Sequence, residues 1–256
     1  MKECIIGIAG HKNSGKDTVA SMINYIFATG ITRSNYADYI IRRKSIDISH
    51  KDRIIHFADS MKDAMSIIFS IPRSAFDDRV KKDNEYWDYF NHKFVTFGEI
   101  IRDKNHCIVD NLIYNTLSNV IQHSAAKKQS LYIKLRTLMQ YFGTDICRNY
   151  IDNNIWINST MSKAINIAIT RTLCIIPDVR FANESNAIRN NDKLLYGGLI
   201  KINRNNKDID EHDSECVDFD EHDSECVDFD VDFKINNNGN LMQLFYKVLE
   251  ICQKIK

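Results

Sequence analysis

The 256-residue chain lacks net charge, because 34 Lys plus Arg balance 34 Asp plus Glu. A neutral total argues against a protein that coats a nucleic-acid polymer, since that affinity rests on surplus cations neutralising phosphates. It also lacks any run of about 18 apolar residues, the length a membrane-spanning helix needs. The first three residues lead straight into a short apolar stretch, without the zones of a secretory signal. The expectation is a cytoplasmic protein without membrane contact. No CxxC pair occurs among the seven Cys at 4, 107, 147, 174, 216, 226 and 252. An odd, scattered set reads as reduced thiols, which excludes a disulfide framework or a zinc site. Only two Pro occur beside abundant Ile and Asn, a bias that says nothing about chemistry. At 44% hydrophobic and 27% charged the chain is an ordinary globular protein, so disorder is excluded as its overall state.

The neutral sum conceals an uneven distribution. Residues 211–220 read EHDSECVDFD and residues 221–230 repeat it without a change, so these twenty positions hold ten acids and no Lys or Arg. The other 236 residues carry 34 basic against 24 acidic side chains, a surplus of ten. Neutrality therefore excludes a uniformly basic nucleic-acid binder, not an enzyme that handles phosphates. The decapeptide is too short for a solenoid unit, whose period is roughly 20 to 50 residues. Its acidity predicts a solvated loop over 211–230.

Strand and helix patterns alternate along the chain. Apolar runs predict strands at 4–9, 53–57, 172–176, 199–203 and 231–235. Helical spacing appears in Val19, Ile23 and Ile26; in Met61, Met65 and Ile68; in Leu135, Met139 and Phe142; and in Leu241, Leu244, Val248 and Cys252. This order predicts an α/β fold with a mostly parallel five-stranded sheet and helices on both faces. Residues 77–130 fit no strand slot and read as a helical insertion in a single domain. The aromatic cluster Tyr86, Trp87, Tyr89 and Phe90 in that stretch reads as core packing.

The sharpest motif is Gly10-His11-Lys12-Asn13-Ser14-Gly15-Lys16-Asp17-Thr18, between a predicted strand and a predicted helix. GxxxxGK in that context is the phosphate loop: glycines let the backbone curl so that N–H groups face a phosphate at a helix N-terminus. Lys16 then reaches the β and γ phosphates. Asp17 stands where Ser or Thr is usual, so Mg²⁺ contact falls to its carboxylate through water or to the Thr18 hydroxyl. Lys62 lies in the first turn of a predicted helix, where a cation opposes the helix dipole unless an anion binds there. Asp178 and Arg180 follow a predicted strand, at the edge where α/β proteins bind ligands. Arg180 offers a planar fork for a phosphate, or pairs with Asp178 on the surface. Arg136, Gly143, Thr144, Asp145 and Arg148 lie on or just past a helix.

The segments GHKNSGKDT, ADSMKDAM, RTLMQYFGTDICRNYIDNNIW, IIPDVRFANE and a late HDSE together resemble the deoxynucleoside monophosphate kinases of the bacteriophage type. The resemblance covers most of the chain outside 77–130, and LMQxxGTD with PDxR makes it far more specific than the phosphate loop alone. It implies a P-loop kinase fold and transfer of the ATP γ-phosphoryl group to a deoxynucleoside 5′-monophosphate, with Mg²⁺. It implies that Asn13, Ser14, Gly15, Lys16, Asp17 and Thr18 hold the ATP phosphates and that Arg204 lies by the adenine. Lys12 would face both donor and acceptor phosphates. Met61, Lys62, Arg136, Gly143, Thr144 and Trp156 would sit by the acceptor, with Asp178, Arg180 and Glu184 in the acceptor or metal region. A basic residue of the insertion, Arg79, Lys81 or Lys82, would join them. Either HDSE copy, 212–215 or 222–225, can take the family position. A homodimer is a further family expectation.

Phosphoryl transfer between two anions calls for cations that position both and stabilise the transferring group. Lys16, Lys12, Arg136 and Arg180 are the residues expected to do this, with Mg²⁺ near Asp17 or Thr18, and residues 77–130 are expected to close as a lid. Two alternatives remain open at this level. One keeps the fold but phosphorylates another small metabolite, as in a kinase resembling dephospho-coenzyme A kinase. The other binds ATP as a switch without transferring phosphate.

Overall fold

A computed structural model describes residues 3–11, 13–109, 117–191, 196–204 and 229–255. Lys12 and both copies of HDSE lie outside these residues, as does nearly all of the 211–230 repeat. In chain order the strands are β1 (Cys4–Gly10), β2 (Glu85–Asp88), β3 (Lys93–Thr96), β4 (His106–Val109), β5 (Ser130–Lys134), β6 (Leu173–Val179), β7 (Tyr196–Asn203) and β8 (Phe233–Asn236). The helices are α1 (Lys16–Thr29), α2 (Tyr36–Ser49), α3 (Asp59–Phe69), α4 (Arg79–Asn84), α5 (Phe97–Ile100), α6 (Leu117–Ala126), α7 (Leu135–Gln140), α8 (Ile155–Arg171), α9 (Ala182–Arg189) and α10 (Leu241–Lys254). The chain divides into two compact units, one of residues 1–57 and 157–256 and the other of residues 58–156.

The first unit is built on a parallel four-stranded sheet in the order β6-β1-β7-β8. Alternation along β1 sorts its side chains onto two buried faces. Cys4, Ile6 and Ile8 pack with α1, α2 and α10, among them Ile23, Tyr39 and Phe245. Ile5 and Ala9 pack on the other face with Ile157, Met161, Ala164 and Ala168 of α8 and Ile188 of α9. Burial on both faces explains why the strand reads as an unbroken apolar run.

The expected fifth strand at 53–57 is corrected to a single parallel bridge between Ile54 and Ile175. Ile55 N–H donates to Ile175 O at 3.0 Å, and the next rung would need an N–H from residue 177. That residue is Pro177, which has none. The β1–β6 register shifts at the same place, with Gly7 opposite Ile176 but Ala9 opposite Val179, so β6 carries one extra residue. The bulge ends the ladder and turns Asp178 out of it.

The second unit holds a mixed sheet in the order β3-β2-β5-β4, with β2 antiparallel to both neighbours and β4 parallel to β5. The helical reading of 77–130 is thus corrected, since β2, β3 and β4 all lie within it. Each is four residues long and includes polar positions, too short for a period-two signal to rise above the helical spacing around it. Tyr86, Trp87 and Tyr89 pack as expected, whereas Phe90, at the turn after β2, is exposed and lies outside the core. Trp87 is buried with Phe76, Leu131, Ile133 and Leu138, and its ring meets Phe94 edge-on at 5.0 Å. Tyr86 joins Val95, Ile100 and Tyr132 on the opposite face. After α7, which holds Leu135 and Met139 of the expected helical pattern, the chain widens into a π-helix, Tyr141–Ile151, which holds Phe142.

Candidate active site

In the first unit, the chemistry gathers at the carboxyl ends of the four parallel strands, where open α/β sheets bind ligands. The loop between β1 and α1 is the predicted phosphate loop. Gly15 adopts φ +101°, a left-handed conformation, and a Cβ there would meet Asn237 Nδ2 at 2.7 Å. A Cβ on Gly10 would lie 2.6 Å from Ile202 O. Asn13 also has positive φ, which its short polar side chain tolerates. The helix begins at Lys16 with no capping side chain, so its first-turn amides and dipole are directed at the loop. Lys16 Nζ folds over that loop and donates to Gly10 O at 2.6 Å and His11 O at 2.8 Å. The cradle therefore fits a phosphate in its main-chain shape and in its cation.

The neighbouring strand ends supply the flanks. Arg204, just past β7, donates from Nη1 to Asn13 O at 3.4 Å. On the β6 side, both Asp178 carboxylate oxygens accept from Phe57 N–H at 3.2 Å, which ties the chain just past the Ile54–Ile175 bridge to β6. The Arg180 guanidinium is exposed and makes no ion pair among the described residues, so the surface pairing with Asp178 does not form. Glu184 is only 2% exposed, and its carboxylate accepts from Arg180 N–H at 2.7 Å and Phe181 N–H at 3.1 Å. It caps α9 from the third helical position and fixes the backbone that carries Arg180. Asp17 and Thr18, in the first turn of α1, are oxygen donors of the kind Mg²⁺ uses when phosphates and water complete its shell. Among the described residues no three His, Cys, Asp or Glu side chains gather as a metal cage.

Sequence reasoning missed Asn237. It lies just past β8, is 9% exposed, and donates from Nδ2 to Ser14 O at 2.8 Å while its own N–H bonds Asn203 O at 2.7 Å. The side chain props the phosphate loop from behind, against the face of Gly15 that has no room for a Cβ. Its place after a strand's carboxyl end was the one available signal.

The second unit brings the expected acceptor residues into two groups. Met61, Gly143 and Trp156 meet: Met61 Sδ lies where a Gly143 Cβ would be, and Trp156 Nε1 donates to Gly143 O at 3.0 Å. Thr144 is the next residue of the π-helix, whose Asp152 N–H to Cys147 O bond of 3.0 Å shows the wide i to i+5 spacing. Such helices are rare and recur at functional sites.

Lys62 and Arg136 form the second group, each held by a carboxylate. Lys62 Nζ donates to Asp77 Oδ1 at 2.8 Å, and Arg136 donates from Nη2 and Nε to Asp83 Oδ1 at 2.6 and 3.1 Å. Burial alone raises the Asp77 carboxyl, but the Lys62 hydrogen bond and the Lys62 and Arg73 charges outweigh it and hold it below the usual carboxylate range. Asp83 is lowered in the same way, the Arg136 bond and charge prevailing over burial. Lys82 is pushed below the usual ammonium value, first by burial and then by the charges of Lys62 and Arg136. Lys82, one of the three basic candidates in the insertion, thus lies in the field of both cations.

The family model described as deoxynucleotide monophosphate kinase matches residues 4–248. A protein of Escherichia phage T5 named deoxynucleoside-5′-monophosphate kinase is 22% identical over 215 residues, 77% of this chain and 76% of that protein. A provisionally named deoxynucleotide monophosphate kinase of Acanthamoeba polyphaga mimivirus is 35% identical over 83 residues, 27% of this chain and 38% of that protein. The chain thus spans well under half the length of the mimivirus relative.

Proposed function

The chain belongs to the deoxynucleotide monophosphate kinase family, and from that premise we propose that it transfers the γ-phosphoryl group of ATP to a deoxynucleoside 5′-monophosphate, releasing ADP and the diphosphate. The observation that carries this reading is the β1–α1 cradle: an uncapped helix start, two glycines with no room for a Cβ, and Lys16 over the loop. Main-chain N–H groups there hold the donor phosphates. Lys16 leaves the carbonyls of Gly10 and His11 for the β and γ oxygens, a charge-assisted exchange that favours the polyanion. Arg204 lies by the adenine end. Asp17 or Thr18 would hold Mg²⁺, which would supply charge neutralisation for the donor phosphates. Lys62 and Arg136 take the acceptor phosphate, Met61, Gly143, Thr144 and Trp156 shape the nucleoside side, and Lys12 and Arg180 neutralise the transferring group.

Because the acceptor is already an anionic phosphate, no strong base is required, and positioning and electrostatics carry the rate. The test is ADP release measured across all deoxynucleoside and ribonucleoside monophosphates and a set of other phosphorylated acceptors. Acceptor-dependent release confined to nucleotides is expected. Turnover only with a different metabolite, or ATP binding with no acceptor-dependent release, would overturn the reading.

A further inference from the structure

Two carboxylates of one short segment occupy the acceptor-side cations. Asp77 precedes α4 and Asp83 lies within it, and between them Lys82 makes no ion pair of its own among the described residues. Each carboxylate has a second cation in reserve. Asp77 Oδ2 accepts from Arg73 Nη1 at 2.7 Å, while the rest of the Arg73 fork holds Asp63 Oδ1 through Nε at 2.7 Å and Asp59 Oδ1 through Nη2 at 2.9 Å. Asp83 Oδ2 lies 3.9 Å from Arg79 Nε, one helical turn before it.

We propose that Asp77 and Asp83 are exchangeable counterions: they hold Lys62 and Arg136 in place and are displaced from them by the phosphate of the acceptor, so that they set acceptor affinity. The proposal rests on the reading that Lys62 and Arg136 bind that phosphate. It makes Asp77 and Asp83 positioning residues, since neither touches substrate.

The exchange is physically reasonable because the resting pairs are weak and the incoming ones strong. Asp77 is 57% exposed against 15% for Lys62, and Arg136 47% against 29% for Asp83, so water reaches one partner of each bond and screens it in part. A phosphate brings nearly two charges and three acceptor oxygens, and its bonds to Lys and Arg are charge-assisted. When Lys62 turns to phosphate, Asp77 stays neutralised by Arg73. When Arg136 turns, Asp83 can close on Arg79. Neither carboxylate is stranded against the approaching anion, and Lys82 gains a charge partner that it does not have at rest.

The experiment uses the full chain and compares Asp77→Asn, Asp83→Asn and the double variant with the parent. Calorimetry would measure the Kd of a deoxynucleoside monophosphate, and steady-state assays KM and kcat for both substrates. Removing a screened competing ion pair is expected to tighten acceptor Kd and KM about threefold in each single variant and about tenfold in the double, roughly additively, from the scale of exposed pairs. The KM for ATP is expected to stay unchanged. A purely structural role would instead weaken binding or lower the melting temperature without tightening the acceptor. That result, or unchanged acceptor affinity in a folded variant, overturns the proposal.

Arg79→Gln gives the opposite sign without touching either proposed contact. Arg79 is 75% exposed, and its removal leaves Asp83 more tightly on Arg136, raising acceptor Kd about twofold. No rise would count against the exchange. Lys62→Met and Arg136→Met separate this proposal from the reading beneath it. If the parent phosphorylates nucleotides and these variants weaken the acceptor while the Asn variants do not tighten it, the counterion role alone fails. If they leave acceptor affinity unchanged, the assignment of the cations fails.

Discussion

Residues 1–57 and 157–256 build their candidate phosphate site mainly from main chain, whereas residues 58–156 build theirs from charged side chains already engaged by carboxylates. In the first region the shape is set by Gly10 and Gly15, by the strand ends and by a helix terminus, none of which titrates. In the second, Lys62 and Arg136 point where they do because Asp77 and Asp83 hold them. A main-chain cradle is rigid and tolerates changes in pH and salt. A side-chain cluster is adjustable and sensitive to both.

The two regions should therefore break differently. Among substitutions that separate the two regions, the largest effect is expected from Gly15→Ala, which places a Cβ 2.7 Å from Asn237 Nδ2 at a φ of +101°. ATP binding should fall by about a hundredfold, from backbone strain of order 1–3 kcal/mol with a distorted cradle, while calorimetric acceptor affinity stays the same. Equal loss on both substrates would show that the regions are not separable. Asn237→Ala should be milder. It removes the bond to Ser14 O, about 1–2 kcal/mol on the scale of a buried hydrogen bond, and should raise the KM for ATP about tenfold with little change in fold by circular dichroism.

Glu184→Gln tests the flank rather than the cradle. The buried carboxylate that accepts two loop N–H groups loses its charge. A destabilisation of about 1 kcal/mol should appear as a melting point roughly 2–4 °C lower.

The smallest effect is the pH dependence of the carboxylate pairs. Asp77 titrates below its unfolded value, so its contribution to stability is fully present above about pH 4 and is lost as pH falls through the depressed folded value. The stability difference between the parent and Asp77→Asn, under about 1 kcal/mol for so exposed a group, should shrink to nothing in acid. A difference that persists at low pH would show that the charge is not its source.

The same contrast explains what could be read from residue order. The phosphate loop, its strand and its helix are contiguous, so their motif and periodicity carry the geometry. Asp178 and Arg180 follow an apolar run and were legible as strand-end residues, whereas Arg204 was named through the resemblance. The strand at 53–57 failed because the next rung, to Ile55 O, would need an N–H from residue 177, a proline 122 positions further on. Strands β2 to β4 failed because each has four residues and one face of modest apolarity. The two carboxylates had no local signature, since their partners lie 15 and 53 positions away, and Asn237, whose partner lies 223 positions away, offered only its place after a strand. The resemblance pointed to Glu184 as a site residue, but only the fold shows its carboxylate turned to the backbone beneath Arg180.

The most direct measurement follows the transferred phosphoryl group itself. Anion-exchange separation of products from ATP and a deoxynucleoside monophosphate should yield ADP and the deoxynucleoside diphosphate in equal amounts. Lys16→Met should reduce that yield by about a thousandfold, the scale for removing a preorganised charge at the transferring group, while its melting temperature stays near that of the parent. ADP without matching diphosphate, or near-normal yield from the Lys16 variant, would contradict phosphoryl transfer at this cradle.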